Sequence, residues 1–267
     1  MKMNYKKFNK HRREPSEIIS NALPLSRLFP NFITLVALCL GLTSIRYGLD
    51  HKWEHSIALL IIAAFLDAMD GRIARYLKVT SDFGAHLDSL ADFFNFGIAP
   101  AIIIYMWTLN DIATKGVGWG VVLVFSACCA IRLARFNVAS NDESSKKLRE
   151  MFFTGVNAPA GAMLIVTPMI LSFEFEEYAS VIKTPWIIAI TMLVVAFAMV
   201  SRIPTFAMKK FSISHRNVTI VLGLFGFIVA ALMIKPWLTI SFLSLIYILS
   251  IPISVAFYYK NFHNKSN

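Results

Sequence analysis

Residues 65–97 read FLDAMDGRIARYLKVTSDFGAHLDSLADFFNFG. The chain on either side is apolar for the length of a helix. Asp67, Asp70, Asp88 and Asp92 therefore lie inside, or at the edges of, segments that otherwise avoid charge. Asp67 and Asp70 are spaced i,i+3, and Asp88 and Asp92 i,i+4, so each pair lies on one face of its own helix. Thr80, Ser81, Asp82 and Gly84 between them read as a short turn. A turn of that length makes the two helices antiparallel neighbours, and the four carboxylates then converge at one boundary.

Working outward, apolar runs long enough to cross a bilayer recur at about 31–49, 55–76, 86–109, 117–139, 158–174, 185–204, 217–235 and 237–258. The expected fold class is an all-α, polytopic integral membrane protein with about eight transmembrane helices. Lys235-Pro236 reads as a tight turn joining the last two. Composition agrees: 57% of the 267 residues are hydrophobic and 16% charged, against about 45–50% and 25% in soluble domains. A disordered chain, a disulfide scaffold and an ordinary water-soluble enzyme are excluded. Cys39, Cys128 and Cys129 fall in apolar runs without metal or disulfide spacing and read as small buried side chains.

The net charge of +10 has a topological explanation. With the N-terminus in the cytoplasm, the eight spans leave only Arg46, Lys52, Lys115, Lys183 and Lys235 outside, and the other Lys and Arg residues fall inside. Both termini are then cytoplasmic, in the cell membrane, and the positive charge needs no nucleic-acid partner. Lys146, Lys147, Lys209 and Lys210 face anionic lipid heads. Residues 1–29 read as a basic N-terminus, retained rather than cleaved, in which Ser16–Phe29 forms an interfacial amphipathic helix. Trp107, Trp119, Trp186 and Trp237 near span ends fit interfacial belts.

A charged side chain within a span costs roughly 2.5–3.5 kcal/mol on insertion scales, so four aspartates need a partner. Clustered carboxylates repel unless protonated or bridged by a cation, and all-oxygen ligation selects hard divalent ions such as Mg, Mn or Ca. The competing reading pairs Asp67 and Asp70 with Arg72 and Arg75 as interfacial ion pairs. Gly71, Ala74 and Gly84 leave the acidic face open to a ligand, and Arg75 offers a planar donor set to a phosphate. Metal, cleared face and arginine together describe a diphosphate site. His86, two residues before Asp88, points away from it, and Glu174, Glu176 and Glu177 form a solvated outer loop.

The run Asp67-Ala-Met-Asp70-Gly71-Arg-Ile-Ala74-Arg75, followed by Gly84, Asp88 and Asp92, resembles the signature of the CDP-alcohol phosphotransferases, and every fixed position agrees. Pro30-Asn31-Phe-Ile-Thr34 is similar to the family's nucleotide-contacting start. The resemblance implies a six-helix core over residues 30–210, with residues 211–267 as a C-terminal transmembrane hairpin and tail. It implies transfer of a phosphatidyl group from a CDP-linked lipid to a small alcohol, releasing CMP. Asp67, Asp70 and Asp88 would hold divalent metal, Mg or Mn. Asp92 would act as general base and also touch a second metal. Gly71, Ala74, Arg75 and Gly84, with Asn31, Thr34 and Ser81, would contact the CDP-lipid, and members tend toward homodimers.

The acceptor lies outside that signature. Ala130-Ile-Arg132-Leu-Ala-Arg135-Phe136-Asn137 and Phe153-Thr-Gly155-Val-Asn157-Ala-Pro159, together with eight spans, are similar to the membrane-integral bacterial and archaeal phosphatidylserine synthases. Asn157 stands where that branch has Pro. The implied substrates are CDP-diacylglycerol and L-serine, whose carboxylate Arg132 or Arg135 would hold. Inositol phosphate, glycerol phosphate or choline as acceptor would be the sister reactions. A cation-coupled transporter is the alternative of another class, predicting carboxylates near mid-bilayer and repeated halves.

Overall fold

A computed structural model describes residues 29–77, 79, 81–112, 116–140, 152–206 and 218–262. The amphipathic helix expected over Ser16–Phe29, apart from Phe29 itself, the basic loop residues Lys146, Lys147, Lys209 and Lys210, and residues 263–267 lie outside them. Helices run α1 Phe29–Leu49, α2 Trp53–Leu77, α3 Asp82–Asp92, α4 Ala99–Trp107, α5 Val117–Ser140, α6 Ala158–Glu174, α7 Ala179–Ile182, α8 Pro185–Val200, α9 Val218–Ile234 and α10 Pro236–Phe262.

α3 continues without interruption into α4 through a π-helical turn, Phe93–Ile98. Pro100 explains the widening: it has no N–H, and its ring would meet the carbonyl of Phe96 in a straight α-helix. The close approach of α5 adds to this, since the Ser126 hydroxyl donates to the Gly97 carbonyl at 3.1 Å. A Cβ on Gly97 would lie 3.1 Å from Cys129 Sγ.

Helices thus occupy all eight apolar runs, but they differ in what they can cross. α1, the continuous Asp82–Trp107 helix, α5 and residues 236–257 of α10 are long and apolar enough to span a membrane. α6 and the short segment after it, Glu176–Ile182, make a fifth candidate, bent by 117°. α8 and α9 have 16 and 17 residues, about 24–26 Å at 1.5 Å per residue, somewhat less than a hydrocarbon core of about 30 Å. α2 has the length, at 25 residues, but carries Asp67, Asp70, Arg72 and Arg75. The chain is a helical membrane protein with four to five candidate spans among the described residues.

Among the described residues a short strand pair departs from helix. Phe152–Thr154 (β1) and Pro204–Phe206 (β2) pair antiparallel, with Phe153 opposite Thr205. Three-residue strands are too short for an alternation of polarity to announce them. Gly155 follows β1 at φ +78°, which favours glycine, and its N–H reaches the Ile203 carbonyl at 2.8 Å.

α1 packs along α2, α5 along α8, and α10 against α6 and β2. Phe96, Phe125, Ile165, Met169, Met192 and Met199 are fully enclosed between them. Outward-facing positions are large and apolar, Phe32, Phe65, Ile220 and Phe227 among them, as a lipid-facing surface requires. α9 buries none of its residues and packs on α10.

Candidate active site

The site begins with a helix cap. Ser81 is extended and its hydroxyl accepts from the Gly84 N–H at 3.0 Å, which starts α3 at Asp82. From that start, Asp88 and Asp92 fall on the face that meets α2. Asp67, Asp70 and Asp88 each offer a carboxylate oxygen, and these oxygens lie within 4.8 Å of one another. Asp92 stands beside Asp67, near enough for the two carboxyl groups to interact.

Two observations separate this cluster from an ion-pair network. Among the described residues the one salt bridge joins Lys235 to Glu174, so neither Arg72 nor Arg75 pairs with Asp67 or Asp70. Asp67 Oδ1 is buried and receives no hydrogen bond. Asp70, 2% exposed, is held from two sides. Its Oδ1 accepts from the Gly71 N–H and its Oδ2 lies 2.5 Å from the Thr34 hydroxyl. A set of close carboxylates, Asp70 buried and Asp67 and Asp88 half-buried, with an oxygen left open fits a divalent cation bound by oxygen.

Asp70 and Asp88 also line a cavity between α1, α2 and α3. Its wall includes Asn31, Thr34, Gly71, Ala74, Arg75, Ser81 and Gly84, so every residue expected to touch the CDP-lipid borders one space. The two glycines serve it differently. A Cβ on Gly84 would come 2.8 Å from Asn31 Oδ1 and 3.1 Å from Ser81 Oγ, a packing conflict. A Cβ on Gly71 would meet only the Arg75 guanidinium, at 3.4 Å, and otherwise project into open space. Pro30, Val79 and Ala85 complete the wall. Val79 and Ala85 had no chemical signal of their own, beyond lying between signature residues.

The two arginines of α5 part company. Arg135 donates from Nη1 to the Val200 carbonyl at 2.6 Å and from Nη2 to that of Ser201 at 3.4 Å, capping the C-terminal end of α8. Arg132 is 7% exposed and donates from Nε to the Val156 carbonyl at 2.8 Å. Its guanidinium lies within electrostatic range of Asp92. Asn157 N-caps α6, its side chain accepting from the Ala160 N–H at 3.0 Å. Asn caps as Pro cannot.

Residues 27–260 match the family model described as CDP-alcohol phosphatidyltransferase. The chain belongs to the CDP-alcohol phosphatidyltransferase family. It is 35% identical over 229 residues to the CDP-diacylglycerol–serine O-phosphatidyltransferase of Mycobacterium leprae (strain TN), covering 86% of this chain and 75% of that protein. Proteins of the same name from Helicobacter pylori (strain ATCC 700392 / 26695) and Bacillus subtilis (strain 168) are 32% and 33% identical. They cover 70% and 68% of this chain, and 76% and 91% of their own lengths. Membership explains why the carboxylates and the cavity are built from one continuous motif and one facing helix.

Proposed function

We propose that this chain transfers the phosphatidyl group of CDP-diacylglycerol to the hydroxyl of L-serine, giving phosphatidylserine and CMP. The observation that carries the reading is the meeting of Asp67, Asp70 and Asp88 within 4.8 Å beside the cavity walled by Asn31, Gly71, Arg75 and Gly84. The activity named for the relatives from three bacterial genera supports serine as acceptor.

In this reading Asp67, Asp70 and Asp88 hold Mg or Mn, with Ca as another occupant, and Asp92 borders a second metal. The ion would neutralise diphosphate charge and favour the entering and leaving oxygens of an in-line displacement. Gly71 and Ala74 leave room for the nucleotide, Gly84 lets Asn31 and Ser81 close around it, Asn31, Thr34 and Ser81 supply polar contacts, and Arg75 meets a phosphate. Asp92 takes the proton of the serine hydroxyl as its oxygen attacks the lipid-bearing phosphorus. The bond from that phosphorus to CMP breaks, and its electron pair leaves on the CMP oxygen. Arg132 holds the serine carboxylate through nitrogens not engaged with Val156.

The same reading takes all eight helices as spans, with residues 30–210 as the catalytic core and 211–267 as an appended hairpin. It puts both termini and the active site on the cytoplasmic side of the cell membrane, in a homodimer. The test supplies purified protein with CDP-diacylglycerol, Mg or Mn, and radiolabelled serine, inositol phosphate, glycerol phosphate or choline in separate reactions. Phosphatidylserine and CMP in equal amounts are expected. Product from another alcohol and none from serine would overturn the acceptor. Asp92→Asn is expected to lower kcat by at least about 10²–10⁴-fold, the usual size of a general-base contribution, with nucleotide binding retained.

A further inference from the structure

Arg132 is a buried cation whose only close polar partner on another element is a carbonyl. It is 7% exposed, its Nε donates to the Val156 carbonyl at 2.8 Å, and among the described residues no carboxylate forms a salt bridge with it. A guanidinium taken out of water is unfavourable unless an anion accompanies it. What lies against it here is aromatic. Arg132 Cζ sits over the Phe136 ring, 5.9 Å from the ring centroid, inside the range of about 6 Å over which the negative face of a ring attracts a cation.

Positions four apart on a helix are neighbours in any case, and a helical side chain leans toward the turn before it, which brings Phe136 onto residue 132. Two observations raise the contact above proximity. The guanidinium is anchored independently, from a turn that is itself fastened on two sides. The Val156 N–H reaches the Ala198 carbonyl at 3.2 Å, and the Thr205 hydroxyl donates to the Gly155 carbonyl at 2.9 Å. Phe136 is moreover 46% exposed, so its ring is not enclosed as core packing would be. Arg135, one residue before it, turns to the end of α8 instead.

We infer that Phe136 is a positioning residue for the acceptor. The Val156 carbonyl fixes one edge of the Arg132 guanidinium and the Phe136 ring one face, so the remaining Nη edge is presented to the acceptor carboxylate. Without the ring, the guanidinium plane can turn about its bond to Val156, and the acceptor must order it on binding. The inference rests on the serine-transferase reading.

The experiment measures steady-state kinetics of wild-type protein, Phe136→Leu and Phe136→Tyr, varying L-serine and CDP-diacylglycerol independently. A second series places mono-, di- and trifluorophenylalanine at position 136, which drains charge from the ring face while nearly keeping its size. Phe136→Leu is expected to raise the KM for serine about three- to tenfold, as for a cation–π contact between the exposed and desolvated limits, with KM for CDP-diacylglycerol within about twofold of wild type. Phe136→Tyr keeps the ring and is expected to stay within about twofold for both substrates. In the fluorinated series the serine KM is expected to climb with each added fluorine, and this series decides the matter if Phe136→Leu does not fold.

A serine KM that is flat across the fluorinated series overturns the inference and leaves the function standing. Equal rises in both KM values mark a merely structural role and overturn it as well. A wild-type protein that forms no phosphatidylserine overturns the functional reading itself, and the inference with it.

Discussion

The Thr34 hydroxyl on α1 stands 2.5 Å from Asp70 Oδ2 on α2 and 3.1 Å from the Pro30 carbonyl one turn earlier on its own helix. A hydroxyl has one proton, and a carboxylate is the stronger acceptor. Thr34 thus orients Asp70 from a different helix, and in doing so ties the cavity-lining end of α1 to the acidic face of α2.

Thr34→Val keeps the volume and removes the donor. Hydrogen bonds to charged groups contribute about 1.5–3 kcal/mol, so activity titrated against Mg is expected to need roughly tenfold or more additional metal, with saturating activity partly recovered. Thr34→Ser is expected to stay close to wild type. An unchanged Mg dependence in Thr34→Val would exclude an orienting role.

The glycines of the motif predict opposite failures. Gly84→Ala drives a Cβ to 2.8 Å from Asn31 Oδ1 and 3.1 Å from Ser81 Oγ at the cap of α3. Overpacking of this kind costs about 1–3 kcal/mol, so its melting temperature is expected to fall along with its activity. Gly71→Ala meets only the flexible end of Arg75. It is expected to fold normally, to melt at or slightly above wild type because α2 gains helix propensity, and to bind CDP-diacylglycerol several-fold more weakly. Thermal unfolding in detergent beside KM for the CDP-lipid separates the two.

Much of this site was legible because helical periodicity converts spacing directly into a face. Asp67 with Asp70 and Asp88 with Asp92 needed only the 3.6-residue repeat and a short turn to be brought together. Arg132 and Arg135 carry the same charge three residues apart, and nothing local tells which one will find the end of α8. That distinction depends on residues 156, 200 and 201, remote in sequence. The pairing of β1 with β2, and the bond from the Thr205 hydroxyl to the Gly155 carbonyl, are illegible for the same reason. The π-helical turn had a partial local signal in Pro100, but its position also reflects α5 pressing on Gly97.

Arg135 and Arg132 should therefore fail by different measurements. Arg135→Ala orphans the Val200 carbonyl and loosens that of Ser201 at the end of α8. A buried acceptor left without its donor costs about 1–3 kcal/mol; these carbonyls are half-buried, so a smaller loss is expected, to be read as a modestly lowered melting temperature. Arg132→Lys keeps a charge but loses the planar donor set, and its expected signature is a raised KM for serine. A serine KM raised more by Arg135→Ala than by Arg132→Lys would reverse the assignment.

The carboxylates themselves predict how the folded protein responds to metal. Asp67, Asp70 and Asp88 offer oxygens within 4.8 Å of one another, Asp92 adjoins Asp67, and no described arginine or lysine forms a salt bridge with any of them. Repulsion among them is relieved by a cation that binds the folded chain and not the unfolded one, so Mg or Mn should stabilise by mass action. At a hundredfold excess over Kd that stabilisation is about 2.7 kcal/mol, and chelation is expected to lower the melting temperature reversibly. Asp67→Asn and Asp88→Asn remove both a ligand and a repulsion, so each is expected to melt higher than wild type in chelator and to respond less to Mg. A melting temperature indifferent to Mg, Mn and chelator in the wild-type protein would rule out the cluster as a metal site, whatever its effect on turnover.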